Sequence, residues 1–403
     1  MPIVSTTREP VIFGVHQPNT LDQLNDVASR AYRTALMADG HLGYIMPVGG
    51  VAAYRNTVSV AGVGFDIACG NAAIRTDIPA GRIRPYREEL ADLIQHTISF
   101  GVGRTNLADD APVNDPLFDD PAWDAFPTEA QVLGLKAKAR AQLGTVGSGN
   151  HYVDVFADES DMVWVGVHFG SRGFGHGIAS GFQALCRGQR WGERGAEVEG
   201  LLDLSTPTGD TYWSLMQLAG RYAYVGREWV TRKVVSLIGG TEQELVHNHH
   251  NFAWKETHDG EELVVVRKGA TPAFPGQRGF VGGSMGDCSV ILEGVDAPDS
   301  PSTLYSTIHG AGRVMSRTEA AGKRNRRTGE TIRPGKVSPE MMGLWLANAD
   351  VVLRGGGLDE SPHAYRRLPD VLAAQGDTIR VLHTLTPLIV VMAGANEFDP
   401  YKD

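Results

Sequence analysis

Apolar residues follow two rhythms along this chain, and each rhythm predicts a different kind of element. Short, mostly apolar runs between glycine and polar turns, at 153–156, 162–167, 263–266, 290–292 and 388–392, read as buried strands. Steps of three and four residues carry Leu215, Leu218, Tyr222, Val225 and Trp229, which predicts a long helix over 211–238 with that stripe in the core. A strand is expected at 11–15, then a helix from Thr20, where Thr20 and Gln23 have the spacing of a capping box. Helices are also expected over 83–98, 128–143, 338–346 and 369–375, the second of them stopping at Gly144. Residues 43–73 read as strands joined by tight turns, 304–308 as strand-like, and the Asp- and Pro-rich 106–127 as a loop. Strands and helices do not alternate in regular βαβ units, which places the chain in the α+β class.

Composition narrows this picture. At 403 residues with 42% hydrophobic and 21% charged side chains, the chain can bury a large core without staples. No internal repeat, low-complexity run or Pro/Ser-rich linker divides it, so residues 1–403 are expected to form a single domain. The first twenty residues are polar and mixed, and the longest apolar run, 388–395, is far too short to span a bilayer, so no membrane partner is expected. Cys69, Cys186 and Cys288 have no framework spacing, which suggests a reducing, cytoplasmic setting. A net charge of −10 argues at first against nucleic acid. Yet Arg313, Arg317, Lys323, Arg324, Arg326, Arg327, Arg333 and Lys336 lie close together, either as a solvated face or as one confined basic groove.

Residues able to hold a metal fall in glycine-rich turns beside the strands, where a backbone can approach a ligand closely. Asp66 and Cys69 sit in GVGFDIACG, Asn150 and His151 in GSGNH, His168 and Arg172 in VHFGSRG, and His250 in HNHHN. Singly, Cys69 reads as a small buried hydrophobe and each histidine as structural. Together they make a one- or two-metal site; zinc suits the donors best on chemistry alone, and manganese is compatible. In HGAGR, His309 is followed by two glycines and Arg313, a cation suited to phosphate. His309 could attack phosphorus as a covalent nucleophile, or serve as a further metal ligand or a turn cap; spacing alone leaves these open.

Taken in order, the motifs MADGHLGY, PVGGVAA, GVGFDIACG, GSGNH, HFGSRG, HHN, RKGA, GGSMG and HGAGRVMSR resemble the RtcB family of RNA-splicing ligases. The resemblance runs from about residue 37 to 392 and implies stacked mixed β-sheets surrounded by helices. It implies that Asp66, Cys69, His151, His168 and His250 bind one or two Mn(2+) ions, and that His309 accepts GMP from GTP. Asn150, Arg172, Lys268, Ser284, Ser289 and Arg313 match positions near the nucleotide phosphates or sugar, with Gly310, Ala311 and Gly312 in the same turn. Asp39 matches an acidic active-site position. The implied reaction joins RNA 2′,3′-cyclic phosphate or 3′-phosphate ends to 5′-hydroxyl ends, in splicing or repair, and is compatible with an accessory activating protein.

Three features depart from that pattern. Met392 stands where the family usually places a base-contacting lysine, which leaves Lys402 as the candidate replacement and the preference for guanine over adenine open. Asp154 stands where a longer glutamate is familiar, and a long family segment is trimmed. These departures imply a divergent, RNA-repair branch. Two rival readings remain: a metal-dependent phosphoesterase on the same fold, and a non-catalytic RNA-binding module. Intact His309, Arg313 and Lys268 weigh against the first, because hydrolysis by a metal-bound water needs no histidine nucleophile. The full ligand set weighs against the second.

Overall fold

The computed structural model describes residues 9–127, 129–324, 330–395 and 397. Two sheets carry the α+β fold. The larger has eight strands, in the spatial order Arg278–Val281, Ser289–Gly294, Ile379–Met392, Tyr152–Ala157, Met162–Phe169, Gly70–Pro79 and Glu242–His249, with Val352–Arg354 paired in parallel to Ile379–Met392. Its other pairings are antiparallel. The sheet curls until its two outer strands approach. Asn71 Nδ2 donates to Phe280 O at 2.7 Å, and Phe280 N donates to Asn248 Oδ1 at 3.0 Å. Buried amide side chains thus serve edge backbone groups that strand pairing leaves open.

The second sheet has the order Val11–Ile12, Arg33–His41, Val48–Tyr54, Glu261–Lys268 and Asn251–His258. The chain passes from one sheet to the other at His250, between Glu242–His249 and Asn251–His258. A 31-residue helix, Pro207–Leu237, packs on the larger sheet, and its Thr206 cap accepts from Gly209 N. Leu215 and Leu218 are fully buried, which contributes about 1.5–3 kcal/mol each.

The structure shifts several expected elements for identifiable reasons. Val225 and Trp229 are only half-buried, and the buried face of the long helix moves on to Gly226, Val230 and Val234. A seven-residue repeat drifts by about 20° per repeat on a straight helix, so the stripe rotates out of the core. The first helix starts at Pro18, not Thr20, and its Gln17 cap makes no side-chain hydrogen bond. Proline at the first helical turn supplies the preset φ, and Thr20 is instead a buried helix residue. Leu304 and Tyr305 take left-handed φ of 57° and 48°, so the strand near 304–308 is only Ser306–Ile308. A helical turn, Val60–Val63, interrupts the strands of 43–73, and two 3₁₀ turns occupy the expected loop at 116–119 and 121–125. Among the described residues no helix is long and apolar enough to cross a membrane.

Candidate active site

Antiparallel register gathers the histidine and cysteine motifs at one end of the larger sheet. Gly70 pairs with both Phe169 and His249, and Tyr152 pairs with both His168 and Met392. Cys69, His151, His168 and His250 therefore sit at four strand ends on the same rim. Asp66 lies in the turn just before Cys69. A close approach makes Gly170 necessary there, because a Cβ on it would stand 2.2 Å from Asp66 Oδ1.

The donor atoms converge on one point. Cys69 Sγ lies 3.6 Å from His151 Nε2 and 3.6 Å from His168 Nε2, and His151 Nε2 lies 3.1 Å from Asp66 Oδ2. His250 stacks on His168 with ring centroids 5.1 Å apart. The other nitrogen of His168, Nδ1, is 2.6 Å from Asn71 Oδ1, which fixes Nε2 as the lone-pair nitrogen facing the thiol. Burial holds His168 and His250 well below the usual histidine range, so both are neutral and able to act as ligands. Burial also pushes the Cys69 thiol well up, with the Asp66 carboxylate adding to the effect. For Asp66, burial acts upward, but the His151 hydrogen bond and charge lead the opposing effects and bring it down to about 2.

These residues fit a divalent cation. The ligand atoms of Cys69, His151 and His168 lie within 4.8 Å of one another, and buried His250 Nδ1 has no hydrogen-bond partner among the described residues. The thiol, imidazole and carboxylate donors suit a borderline ion. Removing the support of His168 should be measurable by itself. Asn71→Ala is expected to weaken metal binding about 10–100-fold while the chain stays folded. Isothermal titration with Mn(2+) checks this, and an affinity equal to that of the unaltered chain would contradict it.

Beside the cluster, His309 follows Ser306–Ile308, which pairs with Ala270–Pro272 just beyond Lys268. Its ring centroid is 4.9 Å from that of His250. His309 Nδ1 lies 2.6 Å from Asp39 Oδ2, and the same oxygen accepts from His309 N at 2.9 Å and Gly310 N at 3.2 Å. Burial acts upward on the fully enclosed Asp39, but the charge and hydrogen bonds of His309 outweigh it, and the carboxyl stays below its usual range. Gly312 has φ 72°, and a Cβ there would meet Asp39 O at 2.2 Å, so the turn after His309 requires glycine.

A cavity of about 320 Å³ joins the cluster to this turn. Asp66, Cys69, His151, His168, His250 and His309 all line it, as do Asn150, Asp154, Lys268, Ser284 and residues 310–313. Burial lowers Lys268 to about 8, and its Nζ donates to Ala61 O at 3.1 Å. Burial raises Asp154 well above the carboxylate range, and its Oδ1 has no partner among the described residues. Met392 lines the same wall. Asp39 stands behind His309, not in the cavity wall.

Other expected residues lie elsewhere. Ser289 is buried beneath the cavity floor, where its Oγ accepts from Gly283 N at 3.0 Å and supports the turn that carries Ser284. Arg172 does not line the cavity. Its guanidinium donates to Gly101 O at 3.0 Å and Thr145 Oγ1 at 3.3 Å. Arg313 reaches the cavity but donates to Glu360 Oε2, Tyr365 OH and the carbonyls of Asp359 and Met315. Lys402 falls outside the described residues. Asn71, Tyr152, Glu360 and Tyr365 belong to the site or its supports and carried no sequence signal. Asn71 reads as an ordinary strand residue, Glu360 ends a short 3₁₀ turn, Leu358–Glu360, and Tyr365 follows another, Pro362–Ala364.

A family model described as tRNA-splicing ligase RtcB matches residues 22–393. The chain is 33% identical over 383 residues to RNA-splicing ligase RtcB of Escherichia coli strain K12, covering 89% of each chain. It is 31% identical over 442 residues to tRNA-splicing ligase RtcB of Thermococcus kodakarensis, covering 90% of this chain and 88% of that one. RNA-splicing ligase RtcB homolog 1 of Entamoeba histolytica is 30% identical over 433 residues, covering 89% and 80%. Apart from the short strand Val11–Ile12, both sheets, the donor cluster and the His309 turn lie within the matched span, and the chain belongs to the RtcB family and is an RNA ligase.

Proposed function

We propose that this ligase uses GTP and Mn(2+) to join RNA 2′,3′-cyclic phosphate or 3′-phosphate ends to 5′-hydroxyl ends, with His309 as the residue that carries GMP. The observation that carries this reading is the position of His309. An imidazole whose Nδ1 lies 2.6 Å from a buried carboxylate oxygen lines the same cavity as a cluster of metal-competent donors. With Nδ1 against Asp39, Nε2 is the nitrogen left to attack. It bonds to the α-phosphorus of GTP and pyrophosphate leaves. The guanylate then passes to an oxygen of the RNA 3′-phosphate, breaking the N–P bond and restoring the imidazole. A cyclic phosphate is first opened by water. The 5′-hydroxyl oxygen finally attacks the 3′-phosphorus and loses its proton, the bond from that phosphorus to the bridging oxygen breaks, and GMP departs with that oxygen.

A Mn(2+) ion held by Asp66, Cys69, His151, His168 and His250 would neutralise phosphate charge during these displacements. Lys268 offers a nearby ammonium, and Arg313 keeps a fixed guanidinium at the far wall. Asn150, Ser284 and the 310–312 turn supply polar contacts for the nucleotide, and Asp154 an oxygen for its base. Asp39 orients His309. Asp39→Asn keeps the size but removes the charge that holds the tautomer, and should slow transfer of GMP to the protein on the order of 10²–10⁴-fold. Quenched-flow labelling with α-labelled GTP checks this, and a rate within about twofold of the unaltered chain would remove Asp39 from the role.

The function itself is tested by joining. Incubated with GTP, Mn(2+), an RNA ending in a 2′,3′-cyclic phosphate and an RNA starting with a 5′-hydroxyl, the protein should yield a single spliced strand. Opening of the cyclic phosphate with no joining would favour a phosphoesterase, and RNA binding with no turnover a binding module.

A further inference from the structure

We propose that Arg227 is a positioning residue for the donor cluster, fastening three of its ligand-bearing strand ends through one guanidinium. The proposal rests on reading the cluster as a cation site. Arg227 lies on Pro207–Leu237 and is fully buried. Its Nη1 donates to Phe169 O at 2.6 Å and Ala68 O at 2.8 Å, and its Nη2 to His249 Nδ1 at 2.8 Å. Each of these partners adjoins a ligand: Phe169 follows His168, Ala68 precedes Cys69, and His249 precedes His250. Nε donates to His247 Nε2 at 2.9 Å, which completes the fork.

Three features make this more than a satisfied core arginine. Every hydrogen bond it makes among the described residues goes to a carbonyl or an imidazole, so the group is committed to fixing backbone and ring positions. Ala68 has φ 60°, a conformation that a residue with a Cβ holds only where its surroundings impose it. Arg227 holds the Ala68 carbonyl while Ala68 N donates to Asn251 O at 2.7 Å, so both ends of the residue next to Cys69 are fixed. Because a guanidinium has no acceptor, His249 must present Nδ1 as a lone pair, which fixes the ring beside His250. A lysine ammonium is a point charge on a flexible stem and cannot span these separate acceptors in one plane.

The test uses Co(2+), whose visible spectrum reports thiolate and imidazole coordination. Cobalt uptake with a thiolate band by the unaltered chain tests the cation reading separately. Arg227→Met and Arg227→Lys should then bind Co(2+) about 10–100-fold more weakly, with altered ligand-field bands. A lower melting temperature with unchanged affinity and unchanged bands would overturn the proposal, because a merely structural arginine would produce that result. His249→Leu removes one acceptor and His249→Gln retains one, which keeps the question answerable should the Arg227 variants fail to fold. Weaker cobalt binding in His249→Leu with recovery in His249→Gln supports the clamp. Equal affinities in the two overturn it.

Discussion

His309→Ala should carry no GMP and join no RNA ends, while still binding metal. The imidazole is the proposed attacking group, and its Nδ1 lies 2.6 Å from the fully enclosed Asp39 carboxylate while the ring lines the cavity. His151, His168 and His250 face the donor cluster instead. Removal of a covalent nucleophile that works as one unit with its orienting carboxylate costs on the order of 10⁴-fold or more in turnover. The variant should not add a second Asp39 penalty, so His309→Ala and the double variant with Asp39→Asn should be equally inactive. Labelling with α-labelled GTP, alongside metal analysis of the same sample, checks both halves. Residual labelling near that of the unaltered chain would place the nucleophile elsewhere.

Cys69→Ala should lose most of its metal and, with it, the ability to take up GMP. In the metal-free protein, burial and then Asp66 hold the thiol protonated far above neutrality, so a cation must displace that proton to bind sulfur. The sign follows directly. Metal affinity should rise with pH, by roughly tenfold per unit for one released proton, and fall as the medium is acidified. Cys69→Ala should flatten that dependence as well as weaken binding. Loss of the one soft donor should also cost Zn(2+) and Co(2+) more than Mn(2+). Titration at several pH values reads all three effects. An unchanged metal content with an unchanged pH slope would take Cys69 out of the ligand set.

Local signals made much of this site legible in the sequence, and long-range pairing hid the rest. Asp66, Cys69, His151, His168 and His309 each stand in or beside a glycine-rich turn, where glycines meet local demands of space or φ, as at Gly170 and Gly312, and His250 stands in the dense imidazole cluster HNHHN. The α+β class likewise followed from strand runs and helical steps that are properties of short windows. What no window contains is register. The pairing of Gly70 with both Phe169 and His249 puts three motifs on one rim, the pairing of Tyr152 with His168 adds the fourth, and the Gly70 pairs join residues about 100 and 180 positions apart. Supports were hidden for the same reason. Asn71 and Arg227 act through His168 and through carbonyls of distant turns, so neither stands out beside its own neighbours.

Charge was the least legible property. The basic stretch beginning at Arg313 reads as a groove or a solvated face, yet Arg313 is committed to Glu360, Tyr365 and backbone carbonyls. Arg317 lies 3.3 Å from Glu360, and Lys336 lies 3.0 Å from Glu319. Acids placed by the fold therefore offset these three cations, and Arg326 and Arg327 fall outside the described residues. Arg172 differs, because its guanidinium donates to the Gly101 carbonyl and the Thr145 hydroxyl, neither of them an acid, and the residue does not line the cavity.

The most direct test is to locate the guanylate by mass spectrometry on protein quenched during turnover with GTP and Mn(2+), under alkaline conditions that preserve a phosphoramidate. The account predicts GMP on the imidazole of His309 and on no other residue. GMP on Lys268, or continued RNA joining with His309 never modified, would contradict it.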